Sequence, residues 1–318
     1  MENLVKQFIE AVDAANTIYI SSHVSVDGDN IGSILAMYQV LKKLNKDVYV
    51  LKSDVIPKTY AFLPDVDKII EPNCDLKDAD LYIALDSADK KRLGENALFF
   101  DAAKNRVVID HHETNVGFGD INVIDPKISS TCELLANIFL AAGYEFTPEI
   151  ATCLFNGISS DTGRFLYTNV SIQTMEIAKF LMENGADTKT INTHLYQSRS
   201  IENLNAIKLG LSNMHIEEYV SYSTISLKEM SEYNLIESDL DEIINYIRDI
   251  EGIMVAFVIK EKETNFYKVS MRSKKTFDVS KIASHFDGGG HINAAGFSYT
   301  GNIKDLISEI MGLIKDAR

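Results

Sequence analysis

The chain has no tryptophan, only three cysteines and only five prolines among 318 residues. No apolar run approaches the roughly 18 residues that cross a bilayer, so no membrane-spanning helix is expected. Cys74, Cys132 and Cys153 are too few and too scattered for a disulfide framework, and none forms a CxxC pair. They read as buried apolar residues of a protein kept in a reducing, cytoplasmic compartment. The opening Met1-Glu2-Asn3-Leu4-Val5-Lys6 lacks the basic start and apolar stretch of a signal peptide. Positive charge is the scarcer sign: 31 Lys and Arg stand against 46 Asp and Glu, a formal net charge of −15. Such a chain is not expected to coat long nucleic acid, because that binding neutralises many phosphates with Lys and Arg. A small anion recognised locally is not excluded. Hydrophobic residues at 46% and charged residues at 24% are ordinary globular values, and the length suits two domains better than one.

The first half alternates helical and strand-like segments. Leu4 to Ala14 and Ile31 to Leu44 have helical spacing. Thr17–Ile20, Val48–Leu51, Leu81–Leu85 and Val107–Ile109 are short β-rich runs, the last two continuously apolar. This alternation predicts a mostly parallel sheet covered by helices, the α/β class, which binds ligands beyond the carboxyl ends of its strands. From Thr131 to about Met214 the pattern is mainly helical, with Pro148 placed as a helix start and Gly185 as a helix stop. Strand-like runs at 220–225, 254–259 and 266–271 then alternate with helical segments at 240–247 and 303–314. The expected division is a catalytic domain at 1–190, a helical connector at 191–214 and a smaller α/β domain at 215–318.

Chemistry-bearing residues collect at the predicted strand ends. The first strand runs into His23-Val24-Ser25-Val26-Asp27-Gly28-Asp29-Asn30. Gly28 permits a tight turn between the two aspartates. Asp29 or Asn30 also suits the cap of the following helix. Asp86 follows the run at 81–85, and Asp110-His111-His112 follows the run at 107–109, where an aspartate can hold one imidazole in a fixed tautomer. Asp161 sits in Ser160-Asp161-Thr162-Gly163 near a helix end, where the helix dipole disfavours a carboxylate unless a cation is near. Unrelated caps would have to explain four coincidences at one sheet edge. Mixed imidazole and carboxylate donors suit divalent cations, Mn²⁺ foremost, with Mg²⁺, Co²⁺ or Zn²⁺ also accommodated. Four aspartates balance two such ions. A paired site of this kind activates water and stabilises both oxygens in phosphoryl transfer.

This order of motifs resembles the DHH phosphoesterase superfamily: HxxxDxD, a lone strand-end Asp, Asp-His-His, and Asp within Ser-Asp-Thr-Gly. Gly288-Gly289-Gly290-His291-Ile292-Asn293-Ala294-Ala295-Gly296 resembles the glycine-rich motif of the associated C-terminal substrate domain. The resemblance implies that His23 and Asp27 bind one metal, that Asp29, His111 and Asp161 bind the other, and that Asp86 bridges them. It further implies that Asp110 orients His111 and that His112 contacts substrate phosphate. Relatives often have Pro-Asp-Gly-Asp, whereas Val26 precedes Asp27 in this chain. The compact two-domain layout resembles the nanoRNase/pAp-phosphatase branch. The implied function is therefore metal-dependent hydrolysis of very short oligoribonucleotides to mononucleotides and of adenosine 3′,5′-bisphosphate to AMP. A sister branch cleaves cyclic dinucleotides or their linear products, and a noncatalytic nucleotide sensor is a third alternative. A homodimer is allowed.

The glycine run reads either as a flexible turn or as a nest of backbone N–H groups that accepts a phosphate. His291 would add a donor there. Between residues 260 and 281, Lys260, Lys262, Lys268, Arg272, Lys274, Lys275 and Lys281 outnumber Glu261, Glu263 and Asp278. The segment is expected to admit a short anionic substrate, three or four nucleotides at most. Arg272 matches a position where relatives hold an arginine for nucleotide phosphate, and its planar fork suits bidentate contact. Arg164 is a weaker candidate. The C-terminal domain is expected to close on the first to complete the site.

Overall fold

The computed structural model describes residues 2–73, 76, 78–274 and 277–317, with His291 described by its backbone alone. Cys74 and Lys275 lie outside the described residues, as does the side chain of His291. The chain divides into two compact units, Met1–Ser198 and Arg199–Arg318.

The N-terminal unit contains α1 (Glu2–Ala14), β1 (Thr17–Ser21), α2 (Gly28–Lys43), β2 (Asp47–Leu51), β3 (Ile69–Ile70), β4 (Leu81–Leu85), α3 (Ala97–Ala102), β5 (Asn105–Asp110), β6 (Ile121–Ile124), α4 (Thr131–Ala142), α5 (Pro148–Asp161), α6 (Ile172–Glu183) and α7 (Thr188–Tyr196). Its strands form a parallel sheet in the order β3-β2-β1-β4-β5-β6. Successive side chains of a strand point to opposite faces, so both faces of each central strand must be apolar. Ile18, Ile20, Leu81, Ile83, Leu85, Val107 and Ile109 join a core with α2, α4 and α5. Tyr19, Tyr82, Ala84 and Val108 join Leu93 and Phe100 on the other face. Each fully buried side chain of this size contributes about 1.5–3 kcal/mol of transfer free energy. Topology brings β1, β4 and β5 side by side. The three candidate segments that follow them are thus neighbours in space although about 90 residues separate the first from the last.

The helix pair α2 and α5 packs without a spacer. A Cβ on Gly157 of α5 would stand 2.7 Å from Asp29 Oδ1 and 2.2 Å from Cys132 Sγ. Only glycine permits this approach, which brings Asp29 near the C-terminal end of α5, where Asp161 sits. A cavity of about 740 Å³ opens between α1, α4 and the start of α6, lined by Val5, Ile9, Ile128, Leu134 and Ile138 among others. None of the candidate metal ligands lines it.

The C-terminal unit contains α8 (Ile201–Ser212), β7 (Met214–Glu217), β8 (Val220–Ile225), α9 (Leu227–Glu232), α10 (Ile243–Arg248), β9 (Val255–Glu263), β10 (Phe266–Ser273), α11 (Val279–His285), β11 (Gly289–His291), β12 (Ala294–Thr300) and α12 (Ile303–Asp316). Its sheet runs β11-β12-β10-β9-β8-β7, parallel between β8 and β9 and antiparallel elsewhere. The expected connector at 191–214 is divided between the units. Its first part is the end of α7, and α8 belongs to the second core, where Ala206 and Leu209 pack with Ile225, Ile243, Ala256 and Val258. Among the described residues, no helix is long and apolar enough to cross a membrane.

Candidate active site

Two acid–histidine clusters form at the carboxyl ends of β1, β4 and β5. His23, Asp27 and Asp86 offer ligand atoms within 4.8 Å of one another, and so do Asp29, His111 and Asp161. A third grouping on the same terms joins Asp86 to His111 and His112. Asp86 stands between the two sets. Its Oδ2 is 3.3 Å from His23 Nε2, and its Oδ1 is 3.7 Å from His111 Nε2.

The loop after β1 is fixed by capping. Asp27 is the N-cap of α2: its Oδ1 accepts from the N–H groups of Asp29 and Asn30 at 3.1 and 3.0 Å. The cap is thus Asp27, not Asp29 or Asn30. Capping occupies one carboxylate oxygen and leaves Oδ2 at 3.5 Å from His23 Nε2, so the cap does not use up the side chain. Asp29 lies in the first turn of the helix. Its carboxylate accepts from the N–H groups of Thr131 and Cys132 at 2.7 and 2.9 Å, which satisfies the free amides at the start of α4. Asn30 donates to the His23 carbonyl at 3.2 Å. His23 Nδ1 lies 2.6 Å from the Val24 carbonyl, so that nitrogen carries the proton and Nε2 faces the carboxylates.

Asp86 adopts a left-handed backbone with φ of 53°, at a cost of about 1–2 kcal/mol for a residue with a Cβ. The turn aims its buried carboxylate back across the strand ends, where Thr131 Oγ1 donates to Oδ1 at 3.0 Å. Asp161, the last residue of α5, places Oδ2 3.2 Å from His111 Nε2. Asp110 departs from the expected role. Its Oδ1 is 2.7 Å from His112 Nδ1, whereas His111 Nδ1 faces the Ile128 carbonyl at 3.4 Å. Residues two apart in an extended chain share a face, so Asp110 holds His112 and not His111.

The electrostatics are those of crowded carboxylates. Burial and the neighbouring Asp86 and Asp161 charges push Asp29 well above the usual carboxylate range. Burial, Asp86 and Asp27 do the same to Asp161. Burial opposes charge on His23, but Asp27 and Asp86 outweigh it and its pKa is pushed up to about 10. His112 is also raised: burial opposes the charge and Asp110 more than offsets it. Asp86 goes the other way, since His23, His111 and His112 overcome its burial and hold it below the ordinary value.

Sequence reasoning missed Arg92, whose Nη2 is 3.1 Å from His23 Nδ1, as well as Thr131 and Asn115. No spacing rule links these residues to the motifs, because each arrives through a different connection. Arg164 stacks over the Tyr196 ring at 4.2 Å.

The candidate residues of the C-terminal unit lie on or beside neighbouring strands of its sheet. The glycine run is neither a flexible turn nor a nest: Gly289–His291 is the edge strand β11, paired with β12. A Cβ on Gly290, at φ of 147°, would stand 2.4 Å from the Ala294 carbonyl oxygen. His291 pairs with Ala294, and Ala294 pairs with Arg272, so the three form one row across β11, β12 and β10. Arg272 Nη1 donates to the Met271 carbonyl at 2.9 Å. Gly288 directly precedes the strand, with Gly296 and Phe297 closing the space above its Cα. The basic segment is not a free cationic surface. Lys260 pairs with Asp241 at 2.7 Å, and Lys262 and Lys268 both pair with Glu237. Lys274 donates to the Ile250 carbonyl, and Lys281 faces Asp278 at 3.9 Å.

Known proteins resemble both units of the chain. Residues 17–158 match the DHH family N-terminal domain and residues 218–316 match the DHHA1 domain. The chain is 32% identical over 298 residues to the bifunctional oligoribonuclease and PAP phosphatase of Thermus thermophilus, covering 94% of this chain and 88% of that one. It is 24% identical over 299 residues to the protein of the same description from Bacillus subtilis, covering 92% of each. A solved exopolyphosphatase-related protein from Bacteroides fragilis superposes with a TM-score of 0.94 at 26% identity, covering 99% of this chain and 96% of that one. The chain belongs to the DHH phosphoesterase family, with a DHHA1 domain as its C-terminal part.

Proposed function

We propose that the chain hydrolyses very short oligoribonucleotides to mononucleotides and removes the 3′-phosphate of adenosine 3′,5′-bisphosphate. The observation that carries this reading is the position of Asp86 between two acid–histidine clusters. It occurs in a chain with a 32% identical relative that bears the name of both activities.

The donor set fits two divalent cations, with Mn²⁺ first and Mg²⁺ or Co²⁺ next, since each cluster joins one imidazole to two carboxylates. His23, Asp27 and Asp86 would hold one, and Asp29, His111 and Asp161 the other, with Asp86 shared. Bound cations supply Lewis acidity toward water and phosphate oxygens. The side chains provide the rest. The Thr131 hydroxyl and the amides of Thr131 and Cys132 fix the directions of Asp86 and Asp29. The Val24 carbonyl fixes the His23 tautomer. Asp110 anchors Nδ1 of His112, and the imidazolium form can donate from Nε2 to a phosphate oxygen. Arg272, the glycine run and His291 are the proposed nucleotide contacts of the C-terminal unit.

The test is hydrolysis of a 5′-labelled RNA dimer and of adenosine 3′,5′-bisphosphate with Mn²⁺, beside a cyclic dinucleotide. Mononucleotides and AMP are expected from the first two substrates. A chain that cleaved only the cyclic substrate would overturn the proposal in favour of the sister activity. Metal and nucleotide binding without product would leave a sensor.

A further inference from the structure

Asn115 has no part in the motifs, yet it completes the hydrogen bonding of the site. It is 8% exposed. Its Nδ2 donates to Asp110 Oδ2 at 2.7 Å and to the Ser87 carbonyl at 3.0 Å, and its Oδ1 accepts the Gly117 N–H at 2.8 Å. Both amide hydrogens and the amide oxygen are therefore used. A flipped amide would set Oδ1 against a carboxylate and a carbonyl, so the orientation is unambiguous. Asp110 is fully buried and divides its two oxygens between His112 Nδ1 and Asn115. Ser87 directly follows Asp86, so one amide ties the end of β4 to the end of β5.

We propose that Asn115 is a positioning residue for His112. It holds Asp110 in the one rotamer that accepts from His112 Nδ1, and this fixes the imidazole with Nε2 presented to substrate. Through Ser87 it also sets the spacing of His112 from Asp86, whose Oδ1 lies 3.7 Å from His112 Nδ1. Without the amide, Asp110 Oδ2 is a buried acceptor lacking its donor. The carboxylate then gains by rotating toward any other N–H and releases the ring. The proposal rests on the phosphoesterase reading given above.

The experiment combines a mutant cycle with a readout that needs no substrate. Asn115→Ala is expected to lower kcat on the RNA dimer by about 10–100-fold, as for other residues that orient a site group, with KM within about twofold. In a His112→Ala background the same change is expected to cost less than about twofold, because it acts through His112. Asn115→Ser, which restores a donor, is expected to recover part of kcat. In parallel, the His112 Nδ1–H, observed by ¹⁵N-resolved NMR, is expected to be shifted far downfield and protected from exchange by its bond to Asp110 in the wild type, and to move upfield and broaden in Asn115→Ala. An equal loss in both backgrounds, or a His112 spectrum unchanged by Asn115→Ala, overturns the proposal. A wild type inactive on every substrate would instead overturn the functional reading, and the ¹⁵N result would still decide the role of Asn115.

Discussion

In the N-terminal unit, Asp27, Asp29, Asp86 and Asp161 are gathered around His23, His111 and His112, and among the described residues none of these carboxylates pairs with Lys or Arg. In the C-terminal unit, Lys260, Lys262, Lys268 and Lys281 of the basic segment meet Glu237, Asp241 and Asp278. The first arrangement concentrates like charge in a desolvated place, which a fold sustains only where a ligand of opposite sign repays it. The second cancels charge at a partly exposed surface, where each pair contributes little. A charge-rich sequence segment marks a site only when folding leaves it uncompensated. The excess of positive charge in residues 260–281 did not pass that test, because its partners Glu237 and Asp241 lie outside the counted window.

The largest effect that would break this contrast is expected at the shared carboxylate. Asp86→Asn should lower hydrolysis of the RNA dimer by about a thousandfold or more, and a chelator should abolish activity in the wild type. Asp161→Asn should have opposite effects on stability in two conditions. With chelator it removes a crowded charge and should raise Tm by about 2–4 °C. With Mn²⁺ it should lose most of the stabilisation that the metal gives the wild type, as read by calorimetry. Arg272→Ala should raise KM for adenosine 3′,5′-bisphosphate about tenfold while kcat holds, since one charge-assisted contact is lost. Lys262→Ala and Lys268→Ala should leave both constants within about twofold; a loss as large as that of Arg272→Ala would make these lysines part of the site after all. The smallest effect is expected at Glu237, whose pKa is lowered to about 2 by Lys262 and Lys268 against partial burial. A depressed carboxylate stabilises the fold above its unfolded pKa near 4.5, and that stability is lost as pH falls toward 2. Glu237→Gln should therefore lower Tm by about 1–2 °C at pH 7, and the difference should fade between pH 4.5 and pH 2.

The parallel sheet was legible because Leu81–Leu85 and Val107–Ile109 are buried on both faces and so read as unbroken apolar runs. The clustering of Asp86 and His111 was legible because each stands just beyond such a run. Less visible was β11, since three residues of Gly-Gly-His carry no β propensity and exist as a strand only through pairing with β12. The packing of α8 was not legible, because its apolar side is satisfied by residues up to about fifty positions later, Ala256 and Val258. The pairing of Asp110 with His112 was within reach of the period of two, although the resemblance implied His111. Thr131 opens α4 and Asn115 lies in the loop after β5, and no local rule fixes where either comes to rest.

The left-handed turn at Asp86 separates two properties that usually change together in mutagenesis. Asparagine is among the few residues with a side chain that accept this backbone, so it can discharge the position while leaving the course of the chain intact. Glycine would relax the turn and delete the carboxylate at once, and a β-branched residue would resist the turn itself. Position 86 thus tolerates a very short alphabet for reasons of backbone conformation alone, before any demand of catalysis is added.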